Sequence, residues 1–497
     1  MKTRSYKVLF IAGILALLFT TSCKKQLDIN QNPNVPAVAN GTPSVVFPAA
    51  VFGTAAGVGG EFGIIGAIWG QYVTQSAFSN QYKTIDAYQL GTADYNRGYR
   101  NMFANGLKNY QFVLDKSKET QNWNFYLMAA TMKAYTTQVL VDLYDQIPYT
   151  EALQGTANLT PKFDDGYSIY QDLLKLLDTA LAKPLNPGIL TPADKSADLV
   201  FKGNLDNWTR FANSMKMKLF LRMINAKPQE AQAGIEKLYA DGAKFLNTDA
   251  ALTGFTNVKD KDNPMYEQNI RSLNTPDNLR ASYTFTSFLI ANNDPRAKYF
   301  FGTPAPTAIH QGDYTGTNSS YKTATVLVQR PDDPVVFMSA AESYFMQAES
   351  RERYFGGDGA KALYDQGVLA AFAETGNDGS AFIAPGGAYE YPSGSLEEKI
   401  MAISTQKWVA CAYGVHYLEG FFEKNRTGYP KTSAVYSELD NNTVNPAYVP
   451  GEFVTSKNSV LGPGQLPKRL VFPLLETQAN PNAPALVPIT TPVWWAL

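Results

Sequence analysis

The chain has 497 residues, 45% of them hydrophobic and 18% charged, with 43 Lys+Arg against 44 Asp+Glu. A near-neutral balance offers no basic footprint for nucleic acid. Two cysteines exclude a disulfide framework, and two histidines, His310 and His416, far apart in sequence, restrict histidine-based triads and zinc sites.

The first predicted element is a signal peptide over residues 1–22. Lys2, Arg4 and Lys7 form a basic n-region, and Val8 to Phe19 form an apolar run. That run is about half the length that a membrane-crossing helix needs, and Lys24 and Lys25 follow closely. Thr20-Thr21-Ser22-Cys23 places a cysteine where a lipoprotein signal peptidase would cut, so Cys23 is the expected lipid-attachment site (acyl and diacylglycerol, palmitate-type). Each buried methylene of such a lipid contributes about 0.8 kcal/mol to anchoring. Cleavage removes three basic and no acidic side chains, leaving 40 Lys+Arg against 44 Asp+Glu. No later segment reads as long and apolar enough to span a bilayer. Cys411, the thiol left over, reads as a small buried hydrophobe.

Residues 23–48, rich in Asn, Pro and Val, read as an extended tether. Helices are predicted near 62–79, 94–117, 122–145, 169–181, 205–226, 229–241, 338–355, 359–374 and 396–424. Ile169, Leu173, Leu176, Leu177, Ala180 and Leu181 give a one-sided stripe, whereas the 122–145 segment carries apolar residues on more than one face. Between the helices lie long Gly, Pro, Asn, Asp and Tyr-rich segments at 247–280, 300–334, 375–394 and 428–480. Consecutive helix pairs suggest a tetratricopeptide-type solenoid, although no 34-residue repeat is legible.

Chemistry is sparse. There is no Gly-x-Ser-x-Gly elbow and no Walker-type phosphate loop. Gly57 to Gly63 reads as a flexible helix entry. Asp260-Lys261-Asp262-Asn263 begins like a calcium loop, but Met265 stands at the sixth position and Arg271 at the twelfth; no metal is assigned. Asp164-Asp165, Asp332-Asp333 and Glu397-Glu398 read as caps or solvated faces, with an acid-base pair for glycoside hydrolysis as the alternative. Many of the 29 tyrosines fall in loops, Tyr82, Tyr88, Tyr314 and Tyr321 among them. A ring with a polar rim suits sugars and extended peptides alike.

Several short motifs, in this order and spacing, carry a resemblance. They are Cys23 followed by Leu27-Asp28-Ile29-Asn30 and Asn32-Pro33-Asn34, then Asp142-Leu143-Tyr144-Asp145-Gln146-Ile147-Pro148-Tyr149, then Asn293-Asp294-Pro295-Arg296. Ala348-Glu349, Gln406-Lys407-Trp408 and Asn425-Arg426-Thr427-Gly428-Tyr429-Pro430 complete the series. Over nearly its whole length the chain resembles the SusD/RagB family of outer-membrane nutrient-capture lipoproteins.

The resemblance implies a mainly α fold, with residues 49–497 as one tetratricopeptide-like helical binding domain bearing long irregular loops. It implies no catalysis and no cofactor beyond the lipid on Cys23. The implied ligand is glycan or peptide, and the implied partner is a SusC-like TonB-dependent transporter barrel. The expected location is the outer membrane, facing the cell exterior, although Lys24, Lys25 and Gln26 stand before the first acidic residue, Asp28. The motifs themselves are expected to serve the fold: Asp294 and Arg296 as an ion pair, Arg426 with Tyr429 as a helix-end device. Ligand aromatics are expected in 78–95 and 302–325, which makes Phe78, Tyr82, Tyr88, Tyr314 and Tyr321 ligand-binding candidates by region. The competing readings are an anchored glycan hydrolase using a carboxylate pair and a helical-repeat scaffold that binds proteins.

Overall fold

The structure is a computed structural model that describes residues 41–496 apart from residue 317; the expected signal peptide, Cys23 and the tether up to residue 40 lie outside the described residues. Residues from Pro43 onward form one compact unit. Its principal helices are α1 (Pro43–Val58), α2 (Glu61–Trp69), α3 (Lys108–Glu119), α4 (Trp123–Tyr144), α5 (Gly166–Leu181) and α6 (Leu205–Arg222). They are followed by α7 (Pro228–Ala240), α8 (Tyr283–Ala291), α9 (Ala340–Tyr354), α10 (Ala360–Ala373), α11 (Leu396–Ala410) and α12 (Tyr417–Thr427). Among the described residues, six short strands, β1 (Val73–Gln75), β2 (Gln146–Pro148), β3 (Phe163–Asp165), β4 (Ala250–Leu252), β5 (Leu279–Ala281) and β6 (Val335–Met338), pair antiparallel as β1–β5, β2–β3 and β4–β6.

Local chemistry sets these boundaries. Asp165 caps α5 by accepting the Ser168 N–H at 2.9 Å, and Ile169, Tyr170, Leu173 and Leu177 then recur on the buried face. Ser395 and Glu398 form a capping box at the start of α11. Helix α4 is buried on nearly every face, as its pattern predicts. Consecutive helices pack as pairs, α3 with α4, α6 with α7 and α9 with α10, which is the tetratricopeptide-like scaffold expected. One large apolar core runs through the unit, and a smaller one forms where Phe345, Tyr364, Phe372 and Ile403 of α9, α10 and α11 meet.

Three boundaries differ from the sequence reading. Helix α1 begins at Pro43, inside the stretch read as tether to residue 48, with proline at its first position and Phe47, Ala50 and Val51 fully buried. The stretch Pro43–Trp69 is also apolar and long enough to cross a membrane by those criteria alone, contrary to expectation. It breaks at Gly59-Gly60 and most of it is buried, so within this unit it is a core element. The helix expected over 62–79 stops at Trp69 and yields to β1, and the one expected over 396–424 is interrupted at Tyr413–Val415, where Gly414 adopts φ 61°.

Four of the motifs that carry the family resemblance, at 142–149, 348–349, 406–408 and 425–430, each supply a charge to one buried ionic network. Arg222 meets Asp142 at 3.0 Å and Glu419 at 2.8 Å. Lys218 meets Glu342 at 2.6 Å and Glu419 at 3.2 Å, and Lys407 meets Glu419 and Glu423 at 3.0 and 3.1 Å. Arg426 joins Glu423 at 2.6 Å to Glu349, which also receives Arg353 at 2.7 Å. His416 Nε2 lies 2.8 Å from Glu342, so this histidine is buried within the network. Trp495 Nε1 donates to Asp142 at 2.8 Å, and the Tyr170 hydroxyl donates to it as well. Five carboxylates thus face five Lys/Arg side chains, all but the partly exposed Arg353 inside a low-dielectric core, where pairing offsets the desolvation of each charge.

Arg426 is therefore a hub of this network rather than a helix-end device with Tyr429, whose hydroxyl instead donates to Glu397. Asp294 and Arg296 do form the expected pair, 2.6 Å apart and fully buried. Cys411 is free and buried, as its surroundings predict.

Candidate functional site

The two regions marked by the resemblance are stitched together by buried polar side chains at the end of β1. Asp86, fully buried, accepts hydrogen bonds from the Thr74 hydroxyl at 2.5 Å, the Gln75 N–H at 2.7 Å and Gln311 Nε2 at 2.9 Å. Burial pushes its carboxyl up to about 6, against these donors. Gln75 Oε1 accepts the Tyr82 N–H at 2.6 Å while Gln75 Nε2 donates to Ser79 Oγ at 2.7 Å, which fixes the 76–82 loop. Gly312 N–H donates to Thr74 Oγ1 at 3.0 Å, bringing the second loop alongside.

A third loop completes the surface. Gln71 Nε2 donates to the Val454 carbonyl at 2.6 Å and Asn458 Nδ2 to the Gly312 carbonyl at 2.6 Å. Lys457 meets Asp313 at 3.0 Å, and Tyr436 donates its hydroxyl to the Gln311 carbonyl at 2.9 Å.

Of the five aromatic candidates, the structure leaves two with an accessible ring. Phe78 is 59% exposed and Tyr314 is half-buried, with Lys83 Nζ 5.3 Å from the Tyr314 ring centre. Tyr82, Tyr88 and Tyr321 are 4%, 2% and 1% exposed, so their rings pack inside and offer no face to a ligand. Tyr321 places its hydroxyl between Asp313 at 3.0 Å and Glu438 at 2.9 Å, a role in holding loops together.

Sequence reasoning missed Tyr283 and Tyr436, both half-buried, and the lysines Lys83 and Lys457. Tyr283 stacks on His310 with ring centres 4.2 Å apart, and His310 Nδ1 lies 2.8 Å from Ser437 Oγ. Burial holds His310 down to about 4, so its ring is neutral at pH 7. Tyrosine content in 428–480 was the available signal; only the fold shows that this segment returns to meet the other two.

The surface is thus one of ring faces with lysines beside them, suited to stacking and hydrogen bonding. The carboxylate pairs are engaged elsewhere. Asp164 accepts from the Thr150 N–H at 2.8 Å, Asp165 and Glu398 cap helices, and Asp333 accepts the Arg330 N–H at 2.8 Å. Asp262 of the calcium-like segment is paired with Arg271, the residue at its twelfth position. Among the described residues no group of three or more His, Cys, Asp or Glu side chains is placed to hold a metal ion.

Paired helices forming a repeat scaffold, with irregular aromatic-bearing loops tied to one another by hydrogen bonds, define the class of protein. Residues 48–449 match the SusD-like family described as "Starch-binding associating with outer membrane". The chain belongs to that family. Solved structures with the same fold include a SusD homolog from Bacteroides uniformis (22% identity, 91% of this chain and 99% of that one, TM-score 0.71). A chitin-binding SusD homolog from Flavobacterium johnsoniae is similar too (20% identity, 90% and 98% coverage, TM-score 0.70). So is a SusD/RagB family protein from Bacteroides thetaiotaomicron (20% identity, 92% and 99% coverage, TM-score 0.71). No curated protein matches the sequence.

Proposed function

We propose that this protein is a non-catalytic, lipid-anchored capture protein of the outer membrane. It binds oligosaccharide on the strip that carries Phe78 and Tyr314 and passes it to a SusC-like TonB-dependent transporter. The observation that carries this reading is the joining of the 76–82, 310–316 and 454–458 loops by hydrogen bonds, with the exposed Phe78 ring on the first and the half-buried Tyr314 ring, near Lys83, on the second. The family description and the chitin-binding relative support glycan as the ligand class. Engagement of the paired carboxylates in caps and loop bonds speaks against the hydrolase alternative.

Three measurements test the reading. Calorimetric titration with maltoheptaose and with chitohexaose should give binding that is lost in a Phe78→Ala/Tyr314→Ala variant; no binding, or binding unchanged in the variant, overturns the site. Cys23→Ala should move the protein out of the membrane fraction, and unchanged fractionation rejects the anchor. Affinity purification from its own cells should bring down a TonB-dependent barrel, and its persistent absence rejects the partner.

A further inference from the structure

A second concavity, of about 640 Å³, lies between α8, α11 and the 388–392 and 449–452 segments, and no residue that lines it belongs to the Phe78/Tyr314 strip. Its walls are largely apolar: Phe288 from α8, Met401 and Ala402 from α11, Pro430 and Val449 from the loops. Val449, one of these, is 54% exposed. A concave, largely apolar surface of this size marks a place where something binds.

The groove is preformed. The Phe288 and Tyr389 rings lie parallel, 1° between planes and 6.0 Å between centres, and the Tyr389 hydroxyl donates to Asp294 at 2.7 Å. Asp294 is itself held by the buried Arg296. An occupant would therefore not have to order this wall on arrival, which spares it a cost of binding.

Its chemistry selects the class of occupant. Three of its polar atoms are already engaged: Asn292 Nδ2 with the Phe288 carbonyl at 2.8 Å, Gln406 Oε1 with Arg296 at 3.4 Å, and the Tyr389 hydroxyl as above. A sugar hydroxyl set against the Phe288, Met401, Ala402, Pro430 and Val449 wall would find no side-chain partner there, and each unpaired buried hydroxyl costs about 1–3 kcal/mol. The rim carries Glu390, Glu398 and Glu452 against a single lysine, Lys431, an excess of negative charge. An apolar floor inside an acidic rim complements an apolar side chain flanked by basic ones.

We propose that this groove is a docking site for an extended segment of another protein. In that segment one or more aliphatic side chains fill the cavity and neighbouring Lys or Arg residues meet the carboxylate rim. The site is separate from the glycan strip and does not depend on it.

The test uses a fluorophore-labelled short peptide alternating leucine and lysine, its leucine–glutamate counterpart, and chitohexaose as competitor, measured by polarisation on the intact chain. The basic peptide should bind and the acidic one should not. Thr405→Trp, which fills the groove from α11, and Glu390→Lys/Glu452→Lys, which reverses the rim, should each weaken binding by about tenfold or more, with unchanged thermal melts. Phe78→Ala/Tyr314→Ala should leave peptide binding intact. Absence of peptide binding, equal binding of both peptides, or insensitivity to the rim variant overturns the proposal. Displacement of the peptide by chitohexaose also overturns it, because it would make the groove a sugar site. Should Thr405→Trp not fold, the rim variant, confined to surface side chains, decides alone.

Discussion

Arg426, near the end of α12, grips Glu349 of α9 with two guanidinium nitrogens, Nη1 at 2.8 Å and Nη2 at 2.5 Å from its two carboxylate oxygens. Both side chains are almost wholly buried, and the residues lie 77 positions apart in sequence. Removing either partner strands a charge in the core. Glu349→Ala is expected to cost about 3–5 kcal/mol of folding stability, whereas Glu349→Leu/Arg426→Leu should cost less than the sum of the single changes. Urea denaturation of the three variants checks this, and strict additivity would deny the pair its coupling.

Acid should act on the same network. Burial opposes ionisation of Glu349, yet Arg426 and Arg353 hold its carboxyl well below the usual range. A folded value below the unfolded one means that the pair's stabilisation is complete above the unfolded pKa and is lost as pH falls through the folded one. His310 adds a second acid-sensitive element with the same sign. Burial keeps it neutral down to about 4, against the pull of Asp313 and with the push of Lys457, while an unfolded histidine protonates near 6.5. Glu438, 3.9 Å away, also faces its ring. Between pH 6.5 and 4 the wild type should lose on the order of 3 kcal/mol relative to His310→Gln. Parallel stability curves for the two proteins would show that His310 does not titrate in this way.

Tyr82 and Phe78 should behave oppositely. The Tyr82 hydroxyl is buried without a hydrogen-bond partner, so Tyr82→Phe removes an uncompensated polar group and should be neutral or stabilising by about 1 kcal/mol, with glycan binding unchanged. Phe78 is exposed, so Phe78→Ala should leave stability within about 0.5 kcal/mol while weakening oligosaccharide binding roughly tenfold. Paired melts and titrations separate the two roles.

Helices α2 and α12 approach so closely at Gly66 that an added Cβ would stand 2.5 Å from the Leu418 nitrogen and 2.8 Å from its Cα. Backbone atoms cannot swing aside as a side chain can. Gly66→Ala is therefore expected to cost about 2–3 kcal/mol in urea denaturation, and a neutral outcome would show that the crossing has slack.

Much of the scaffold was legible because amphipathic stripes such as Ile169 to Leu181 are local signals. Helix α1 was not, since a segment buried on several faces has no period and its Asn and Pro-rich approach resembles linker. The break before α12 was hidden for a related reason: apolar residues continue through it while Gly414 and Val415, both at positive φ, turn the chain. The site was legible only by region. Tyr82 and Tyr314 look alike in sequence, and what buries one and leaves the other half open is the hydrogen bonding of Gln75 and Asp86, which joins residues far apart along the chain. The role of Arg426 was misread because its partner lies on another helix.

The buried ionic network changes how the molecule should come apart. A helix-pair array whose units touch only their neighbours can fray from an end, one repeat at a time. Here α4, α6, α9, α11 and α12 each contribute charges to one shared set, so no pair can leave without stranding ions in those that remain. Loss of one helix then carries nearly the whole cost of losing all of them, and the scaffold should unfold as a single cooperative block. The loops joined at Asp86 add no charge to that set, so opening them breaks their own hydrogen bonds while the base stays intact.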